Sequence, residues 1–296
     1  DLFVVNADGA SETKRQFCME RGIEYVVLER IPAKGIAARS STDLKETTCQ
    51  LPTRLDLAGT WIDQPYVSCY HPGWALTISL EPTFQVRERC GLSTSTRNLI
   101  KRIWPYRLPD MDPETLARLV FCYENNPERS DGIISGAQDA IGICVPGLCR
   151  HWYDNAYWPL KLETCNDEAV LSWLEQHLCM IPMEPRKPGC SVVDGKDITP
   201  EKVAALASAA DKCWNAIMAM DLNAFASAYK ASFDAQVAMF PAMVQGCVQG
   251  FIDRYSARDG VLAWKMPGAG GGGYLALVVD SLDKFPEAIP LKIRRA

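Results

Sequence analysis

The sequence predicts an α+β protein with two lobes of mixed sheets and helices, preceded by a partial βαβ segment. Three patterns support this fold class. Residues 1 to 29 follow a strand, helix, strand order. Residues 54 to 178 mix short apolar runs with amphipathic stretches. Residues 199 to 256 have a helical pattern, and two apolar strands that flank a glycine-rich loop come after them.

The composition excludes several classes of function. With 48% hydrophobic and 23% charged residues, the 296-residue chain resembles globular proteins and lacks the apolar run of roughly 18 to 20 residues that a membrane span requires. The formal net charge of −5 disfavours binding along a nucleic-acid backbone. Twelve cysteines without a CxxC pair, and only three histidines, argue against a zinc site. We expect mostly buried, reduced thiols in a cytoplasmic protein that binds neither nucleic acid nor membrane.

The N-terminal segment has the pattern of one βαβ unit. Residues 2 to 5 and 23 to 29 are predicted strands, and residues 11 to 21 are a predicted polar helix that ends at Gly22. About 30 residues cannot close such a domain, because a parallel pair of strands needs further partners. The composition changes after the loop that contains Arg39–Asp43, so the segment is placed at residues 1 to 48.

The rest of the chain is divided by a polar linker from Pro182 to Gly195. The N-terminal lobe, residues 49 to 185, is predicted to contain strands at 54–58, 75–81 and 157–163, and helices at 94–104, 113–124 and 167–178. The C-terminal lobe, residues 186 to 296, is predicted to contain helices at 199–219, 221–239 and 243–256, and strands at 261–265 and 274–279.

The run Gly268–Gly273 lies between the last two strands and contains a single non-glycine residue, Ala269. Glycine lets a backbone approach an anion closely and present several N–H donors to it. The alternative is a flexible hairpin tip, although hairpin loops of about two to five residues rarely contain so many glycines. Neither GxxxxGK[ST] nor a GxGxxG turn that opens a βαβ helix is present, so a different class of phosphate-binding loop is expected.

The stretch Lys265–Tyr274 resembles the third motif of the GHMP superfamily, which includes galactokinase, homoserine kinase, mevalonate kinase and phosphomevalonate kinase. The usual serine before the Gly-Ala pair is Pro267 here, which removes one hydroxyl and stiffens the entry to the loop. The resemblance covers most of residues 51 to 281 and implies the two-lobed GHMP kinase fold, with ATP and Mg²⁺ as cofactors. It implies that ATP is bound by Gly268, Ala269, Gly270, Gly271 and Gly272.

The stretch Arg54–Pro65 resembles the first motif of the sugar-kinase branch. This implies that Arg54 stabilises the transferring phosphoryl group and that Asp63 and Gln64 bind the sugar. A guanidinium group spreads its charge over phosphoryl oxygens, and a carboxylate accepts hydrogen bonds from vicinal hydroxyls. The alternative is a structural Arg–Asp pair at the end of a strand.

The stretch Gly136–Gly142 resembles the part of these sugar kinases that carries the catalytic aspartate. The resemblance implies that Asp139 is the general base and that Gln138 contacts the substrate. A carboxylate beside a substrate hydroxyl can accept its proton, while positioning and cations supply most of the rate. Without its flanking residues, Asp139 would be interpreted as a helix cap.

The second motif of the superfamily is usually a Gly-Leu-Gly-Ser-Ser loop that opens a helix, and Gly91–Arg97 resembles it without the second glycine. Hydroxyls at a helix N-terminus suit phosphate and Mg²⁺, and Arg97 adds charge. The implied ATP ligands are Gly91, Ser93, Thr94, Ser95, Thr96 and Arg97, with Ser95 also a metal ligand. The short interval from Asp63 to Gly91 indicates that part of the nucleotide lobe is absent. These departures favour an alternative function, a non-catalytic protein that binds a nucleotide or sugar.

The N-terminal segment has a second resemblance. Leu2–Asp8, Ile23–Arg30 and Arg39–Lys45 resemble the end of a glycerol-3-phosphate cytidylyltransferase-like domain, in which a loop rich in serine and threonine binds the triphosphate. The HxGH motif of that family does not occur in this chain, so we expect no transferase activity from the segment alone. A third hypothesis is that the chain is a fragment of a bifunctional cytidylyltransferase–kinase.

The predicted function is ATP-dependent phosphorylation of a sugar or sugar phosphate, with homodimer formation left open. Two conspicuous features are not assigned to catalysis. The aromatic cluster of His151–Tyr153, Tyr157 and Trp158 has two interpretations, a sugar-stacking surface or the packed seam between lobes. The basic run Lys292–Arg295 is expected to be solvated.

Overall fold

The computed structural model describes residues 1–29, 50–126, 134–244 and 246–296. The chain divides into two compact units, Asp1–Thr48 and Cys49–Ala296. The predicted triphosphate loop Arg39–Lys45 lies outside the described residues. No helix in the described ranges is long and apolar enough to cross a membrane. The ten cysteines whose side chains are described are free thiols.

The first unit has the predicted strand, helix, strand order. β1 (Leu2–Asn6) and β2 (Glu24–Leu28) pair in parallel, and α1 (Glu12–Glu20) connects them. Ser11 caps this helix, because its side chain accepts a hydrogen bond from the backbone N–H of Lys14 at 3.3 Å. Five residues on each strand form the parallel pair.

The second unit begins with a four-stranded antiparallel sheet. Its strands lie in the order β3 (Thr53–Ala58), β4 (Gly73–Leu80), β5 (Leu148–Tyr153) and β6 (Lys161–Cys165). The strand predicted at 157–163 begins four residues later, at β6. The sequence does not predict β5, because its arginine, histidine and tryptophan obscure the alternation of a half-buried strand.

Short helices follow these strands and position the site. Those in the described ranges are α2 (Pro65–Ser68), α3 (Thr94–Ile103), α4 (Pro113–Glu124), α5 (Gln138–Cys144) and α6 (Glu168–His177). The bounds of α4 match the prediction, and the Asp112 side chain caps it by accepting from the N–H of Thr115 at 2.8 Å. The seven-residue helix α5 is mostly buried and carries Asp139 in its first turn.

A second antiparallel sheet has the strand order β10 (Ile289–Pro290), β7 (Leu178–Pro182), β9 (Tyr274–Val279) and β8 (Val261–Lys265). The prediction that Leu178 ends a helix and that Pro182 opens a linker misses β7. A five-residue apolar strand directly after a helix cannot be separated from that helix by periodicity. β7 pairs with β9, which lies beyond the expected lobe boundary at 185/186, and that boundary stays a prediction.

Three further helices pack on these sheets: α7 (Pro200–Met218), α8 (Leu222–Met239) and α9 (Cys247–Ser256). Thr199 and Asp221 cap the first two through their side chains. One apolar cluster joins Leu76 of the first sheet, Phe225 of α8 and Ala276 of the second sheet. The two sheets therefore share one core with these helices.

The basic run at the end of the sequence is not solvated as predicted. Ile293 is fully buried and pairs with Leu80, at the end of β4. The guanidinium group of Arg294 donates to the carbonyl oxygens of Ile143 and Cys144, at 3.0 and 2.6 Å. These carbonyls belong to the last residues of α5, where a cation satisfies acceptors that the helix leaves unpaired. The prediction was wrong because the partners of Arg294 lie about 150 residues earlier in the sequence, where local sequence patterns do not reveal them.

We predict that Arg294→Ala lowers the free energy of unfolding by about 1 to 3 kcal/mol, because two partly buried carbonyls lose a charged donor. Urea unfolding would measure the change. Lys292→Ala is the matched control, since Lys292 is an exposed cation of the same run. Equal stability of the two variants would contradict the capping role.

Candidate active site

A buried carboxylate, Asp56 on β3, lies at the centre of the polar contacts. It accepts hydrogen bonds from Nη1 of Arg54 at 2.6 Å and from the backbone N–H of Gly268 at 2.6 Å. It also accepts from the hydroxyl of Thr60 and from Nζ of Lys265. Asp56 and Lys265 are both completely buried. The side chain thus connects the first sheet to the second sheet and to the start of the glycine loop.

Burial and charge act in opposite directions on this pair. Burial raises the pKa of Asp56. The charges of Lys265 and Arg54 lower it by more than burial raises it, so the pKa lies well below its ordinary value. Burial lowers the pKa of Lys265, and the charge of Asp56 offsets only part of that effect. With four donors on one carboxylate, the ionised form of Asp56 is strongly stabilised.

Arg54 also holds Asp139. Its Nε and Nη2 atoms donate to Oδ1 of Asp139, at 2.7 and 2.5 Å. Within the described part of the chain, Oδ2 of Asp139 accepts no hydrogen bond. The Arg54 side chain is 5% exposed and that of Asp139 is 26% exposed, so the carboxylate is the accessible member of the pair. Asp139 is therefore oriented by Arg54 and still has an oxygen to offer a ligand.

Close backbone contacts fix the helix that carries Asp139. A Cβ atom on Gly142 would lie 2.7 Å from Cβ of Arg54. A Cβ atom on Gly136, just before the helix, would lie 2.0 Å from Oδ2 of Asp63. Both glycines are thus needed for close approach, and the Gly136–Gly142 motif fits α5 between Arg54 and Asp63.

Asp63 is a nearly buried acid beside Asp139. Its Oδ2 atom accepts a hydrogen bond from the backbone N–H of Gln138 at 3.4 Å. Burial, and then the charge of Asp139, raise the pKa of Asp63 to about 7. Near neutral pH this carboxyl group is therefore present in both protonation states, and it can donate or accept a hydrogen bond.

These residues share a cleft of about 560 Å³ with the start of the glycine loop. The predicted site residues that line it are Arg54, Asp63, Gln64, Gln138, Asp139, Gly268 and Ala269. Thr60, Trp61, Tyr66, Tyr157 and Lys196 contribute further polar and aromatic groups. The fold thus brings the predicted catalytic pair, the predicted substrate ligands and two predicted ATP ligands into one cavity.

Two side chains in the cleft wall have buried polar atoms that find no partner among the described residues. Nε2 and Oε1 of Gln138 and Nε1 of Trp61 make no hydrogen bond within that part of the chain. Gln138 is 2% exposed, and Trp61 has a left-handed backbone (φ 83°) and stacks on Phe240 at 4.5 Å. Unpaired buried polar groups are costly, so these atoms point to a polar ligand. Sequence reasoning did not assign Trp61, although it lies within the Arg54–Pro65 motif.

The rest of the glycine loop packs against protein instead of the cleft. The backbone N–H of Gly271 donates to the Met243 oxygen at 2.9 Å, and that of Gly273 donates to the Glu184 oxygen at 2.8 Å. Gly270 lies against Met243, and Gly272 lies against the backbone of Glu184. Several loop amides are thus already paired, so Gly268 and Ala269 are the loop residues that line the cleft.

The two predicted phosphate loops touch each other. A Cβ atom on Gly91 would lie 2.2 Å from the Pro267 oxygen, and one on Gly268 would lie 2.6 Å from the Gly91 oxygen. Both glycines have positive φ angles, 81° and 58°. Glycine is therefore required at both positions for geometry and for space. The loop at Gly91 and the glycine loop at Gly268, which come from separate motifs, are therefore in direct contact and lie side by side.

The side chains of the second motif are mostly engaged within the protein. The hydroxyl of Ser93 donates to the Leu92 oxygen at 2.7 Å, and that of Thr96 donates to Glu124 at 2.8 Å. Arg97 donates to the Leu51 oxygen at 3.2 Å. Thr94 begins α3, and Ser95 is exposed. Any anion at this helix start would be held mainly by backbone N–H groups and by Ser95.

Ser95 opens onto a second cavity of about 610 Å³ that also includes Glu124 and Asn126. Ser135 lines both cavities, so they adjoin. A hydroxyl and a carboxylate oxygen fit Mg²⁺, which usually takes one or two carboxylates together with substrate phosphates. Within the described residues no group of three or more His, Cys, Asp or Glu side chains could hold a metal ion. Glu124 was not found from sequence, because it lies at the end of an ordinary amphipathic helix.

The aromatic cluster separates into two parts. Tyr157 lines the cleft, whereas His151 and Tyr153 are fully buried in β5. Nδ1 of His151 contacts the Tyr153 hydroxyl at 2.9 Å. Burial, and then the charge of Arg54, lower the pKa of His151 to about 3. His151 is therefore a neutral, buried side chain of β5 that contacts Thr77 and Tyr153.

No protein-family model and no curated protein sequence matches the chain. Solved structures of kinases have the same fold. A mevalonate kinase superposes with a TM-score of 0.58 at 13% identity, covering 84% of this chain and 99% of that kinase. The galactokinase of Lactococcus lactis, complexed with galactose, gives 0.53 at 14% identity over 78% and 84%. A D-glycero-D-manno-heptose 1-phosphate kinase from Bacteriodes thetaiotaomicron gives 0.52 at 13% identity over 83% and 95%.

These neighbours are GHMP-family kinases, so the predicted α+β GHMP kinase fold is confirmed. At identities of 13 to 14%, the similarity concerns the fold alone. The resemblance of the N-terminal segment to a cytidylyltransferase is not shown by these structures.

We predict that Asp56→Asn lowers the free energy of unfolding by about 3 to 5 kcal/mol, because it leaves the buried ammonium of Lys265 without its counter-charge. Adding Lys265→Met should recover much of the loss, so the double variant will lose less stability than the sum of the losses of the two single variants. Urea unfolding measures Asp56→Asn, Lys265→Met and the double variant. Asp259→Asn is the control, because it breaks the ion pair of Lys284 with the almost fully exposed carboxylate of Asp259. Additive losses would exclude a coupled pair.

The raised pKa of Asp63 predicts a pH-dependent contribution to stability. Because the folded pKa of about 7 exceeds the unfolded value, the contribution is complete below about pH 4 and is lost as the pH rises to 7. Relative to Asp63→Asn, the wild type should lose about 2 to 4 kcal/mol between those pH values. Urea unfolding at both pH values tests this, with exposed Asp253→Asn as the control. If the difference in the free energy of unfolding between wild type and Asp63→Asn is the same at both pH values, the pKa of Asp63 is not raised by folding.

Proposed function

We propose that the chain is an ATP-dependent kinase that phosphorylates a hydroxyl group of a sugar or sugar phosphate. The observation that carries this proposal is the single cleft that contains the Arg54–Asp139 pair, the unpaired Gln138 amide and the start of the glycine loop. The kinase fold of the structural neighbours supports it.

Asp139 acts as the general base. The attacking hydroxyl gives its proton to Oδ2 of Asp139, its oxygen forms the new bond to the γ-phosphorus of ATP, and the bond to the ADP oxygen breaks. Arg54 orients the carboxylate through Oδ1 and lies close enough to stabilise the transferring phosphoryl group. Asp56 holds Arg54 from the opposite side, so the guanidinium group does not move away when ligands bind.

Polar groups in the cleft wall bind the sugar. The amide of Gln138 offers one donor group and one acceptor, a combination that suits two neighbouring hydroxyls. Asp63 and Gln64 line the same cavity and bind further hydroxyls. An apolar substrate would leave the Gln138 and Trp61 atoms unpaired, which would cost binding free energy.

The phosphates of ATP bind along the edge formed by the two loops. The ligands proposed from the geometry are Gly91, Ser93, Thr94, Ser95, Thr96, Arg97, Gly268 and Ala269, with main-chain atoms as the principal contacts of those whose side chains are engaged. The motif resemblance also implied Gly270, Gly271 and Gly272, but these residues pack against protein, and we propose that they shape the loop instead. Ser95 and Glu124 would hold Mg²⁺, which neutralises phosphate charge when bound. Thr96 orients the Glu124 carboxylate by donating to it.

A second candidate function is a non-catalytic protein that binds a nucleotide or sugar. It is favoured by the contact of Arg97 with Leu51 and by the loop amides of Gly271 and Gly273 that already have partners. A bifunctional parent that contains a cytidylyltransferase stays a hypothesis. Homodimer formation and a cytoplasmic location also stay predictions.

We predict that Asp139→Asn lowers kcat at least about a hundredfold while leaving ATP affinity nearly unchanged, because the amide cannot accept the proton. Single-turnover assays with labelled ATP and a panel of hexoses, heptoses and their phosphates measure the effect. Asp234→Asn, on an exposed surface of α8, is the control. A normal rate for Asp139→Asn would refute the assignment of the base. Absence of product from every substrate with the wild type would favour the non-catalytic function.

A further inference from the structure

Lys196 is a cation of the cleft that forms no ion pair with any described residue. The charged residues that line the cleft in the described ranges are Arg54, Asp63, Asp139 and Lys196. Arg54 is neutralised by Asp139 and Asp56. Lys196 forms no salt bridge or side-chain hydrogen bond within the described part of the chain. Within the described residues, Lys196 is therefore the cation of the cleft that no acid contacts.

The position of Lys196 is set by its neighbours. Nζ of Lys196 lies 4.8 Å from the centre of the Tyr66 ring, a cation–π contact that holds the ammonium at the cleft wall without neutralising it. Asp197, the next residue, gives its carboxylate to Lys202 at 2.5 Å. Asp197 is therefore already paired with Lys202, and the ammonium of Lys196 is available to donate to an anionic ligand.

We infer that the substrate already carries a phosphate monoester, which binds Lys196 while its hydroxyls bind Gln138 and Asp63. This inference rests on the proposed function and decides between its two substrate classes. Lys196 is exposed, so beside a neutral sugar its ammonium would be solvated by water alone and would add nothing to binding, whereas an anionic group would gain a charge-assisted contact. A phosphate monoester carries a charge of about −1.5 to −2 near neutral pH and provides oxygens that accept from an ammonium group.

A phosphate of ATP is the other source of an anion. The segment that precedes Lys196 approaches the glycine loop, because a Cβ atom on Gly271 would lie 3.3 Å from Cγ1 of Val192. The contact of Lys196 with Tyr66, however, places its ammonium at the wall of the cleft that carries the proposed sugar ligands. Tyr66 lines the cleft together with Asp63 and Tyr157. The lysine thus belongs to the wall that carries the proposed sugar ligands.

The test is equilibrium binding to the full chain without nucleotide, by titration calorimetry. Hexoses and heptoses are each titrated as the neutral sugar and as its monophosphate, and ATP and mevalonate are titrated in separate experiments. We expect at least one monophosphate to bind about tenfold more tightly than its neutral sugar, and Lys196→Gln to remove that difference. Lys196→Arg should retain most of it. Lys212→Gln, an exposed lysine on α7 outside the cleft, should change nothing.

Equal affinity of the wild type for neutral sugars and for their phosphates would overturn the inference and leave the proposed function intact. Weaker binding of ATP, rather than of a sugar phosphate, to Lys196→Gln would assign the lysine to the nucleotide. Tight, lysine-dependent binding of mevalonate, an acid without vicinal hydroxyls, would overturn the substrate class. Lysine-dependent binding of a sugar phosphate without phosphoryl transfer would support the inference and refute the kinase.

Discussion

The buried ion pair between Asp56 and Lys265 is the interaction on which the site depends. One carboxylate holds Arg54, which in turn holds Asp139, and it also accepts from the N–H of Gly268 at the start of the glycine loop. The base and the phosphate loop are thus positioned from a common point. Replacing this pair with apolar residues could preserve packing, but it would release both ends of the site. We attribute the retention of two buried charges to this positioning role.

A second constraint is steric. Gly136 and Gly142 let α5 approach Asp63 and Arg54, and Gly91 and Gly268 let the two loops meet. None of these four contacts has space for a methyl group. The distances between the polar groups are therefore set by backbone packing rather than by flexible side chains. Such rigidity suits phosphoryl transfer, in which positioning and electrostatics supply most of the rate.

Much of the fold was predictable because its signals are local. Asp112 and Pro113 mark the start of α4, and Thr199 and Asp221 cap α7 and α8. β7 was missed because it follows a helix without a break, and β5 was missed because its polar residues face buried partners. In the site, motif resemblance found Arg54, Asp63 and Asp139. Asp56 and Lys265 lie inside the quoted motifs but received no role, since nothing near either residue in the sequence reveals a partner 209 residues away.

The span between these partners has a consequence for how the protein folds. β3 is among the first strands of the second unit to be synthesised, yet the ammonium that compensates its buried carboxylate arrives only with β8. Until then, Arg54 must serve both Asp56 and Asp139, so burying β3 would leave an excess of negative charge in an apolar interior, which is unfavourable. The first sheet should therefore stay loosely packed during synthesis, exposed to chaperones, and consolidate late in one cooperative step.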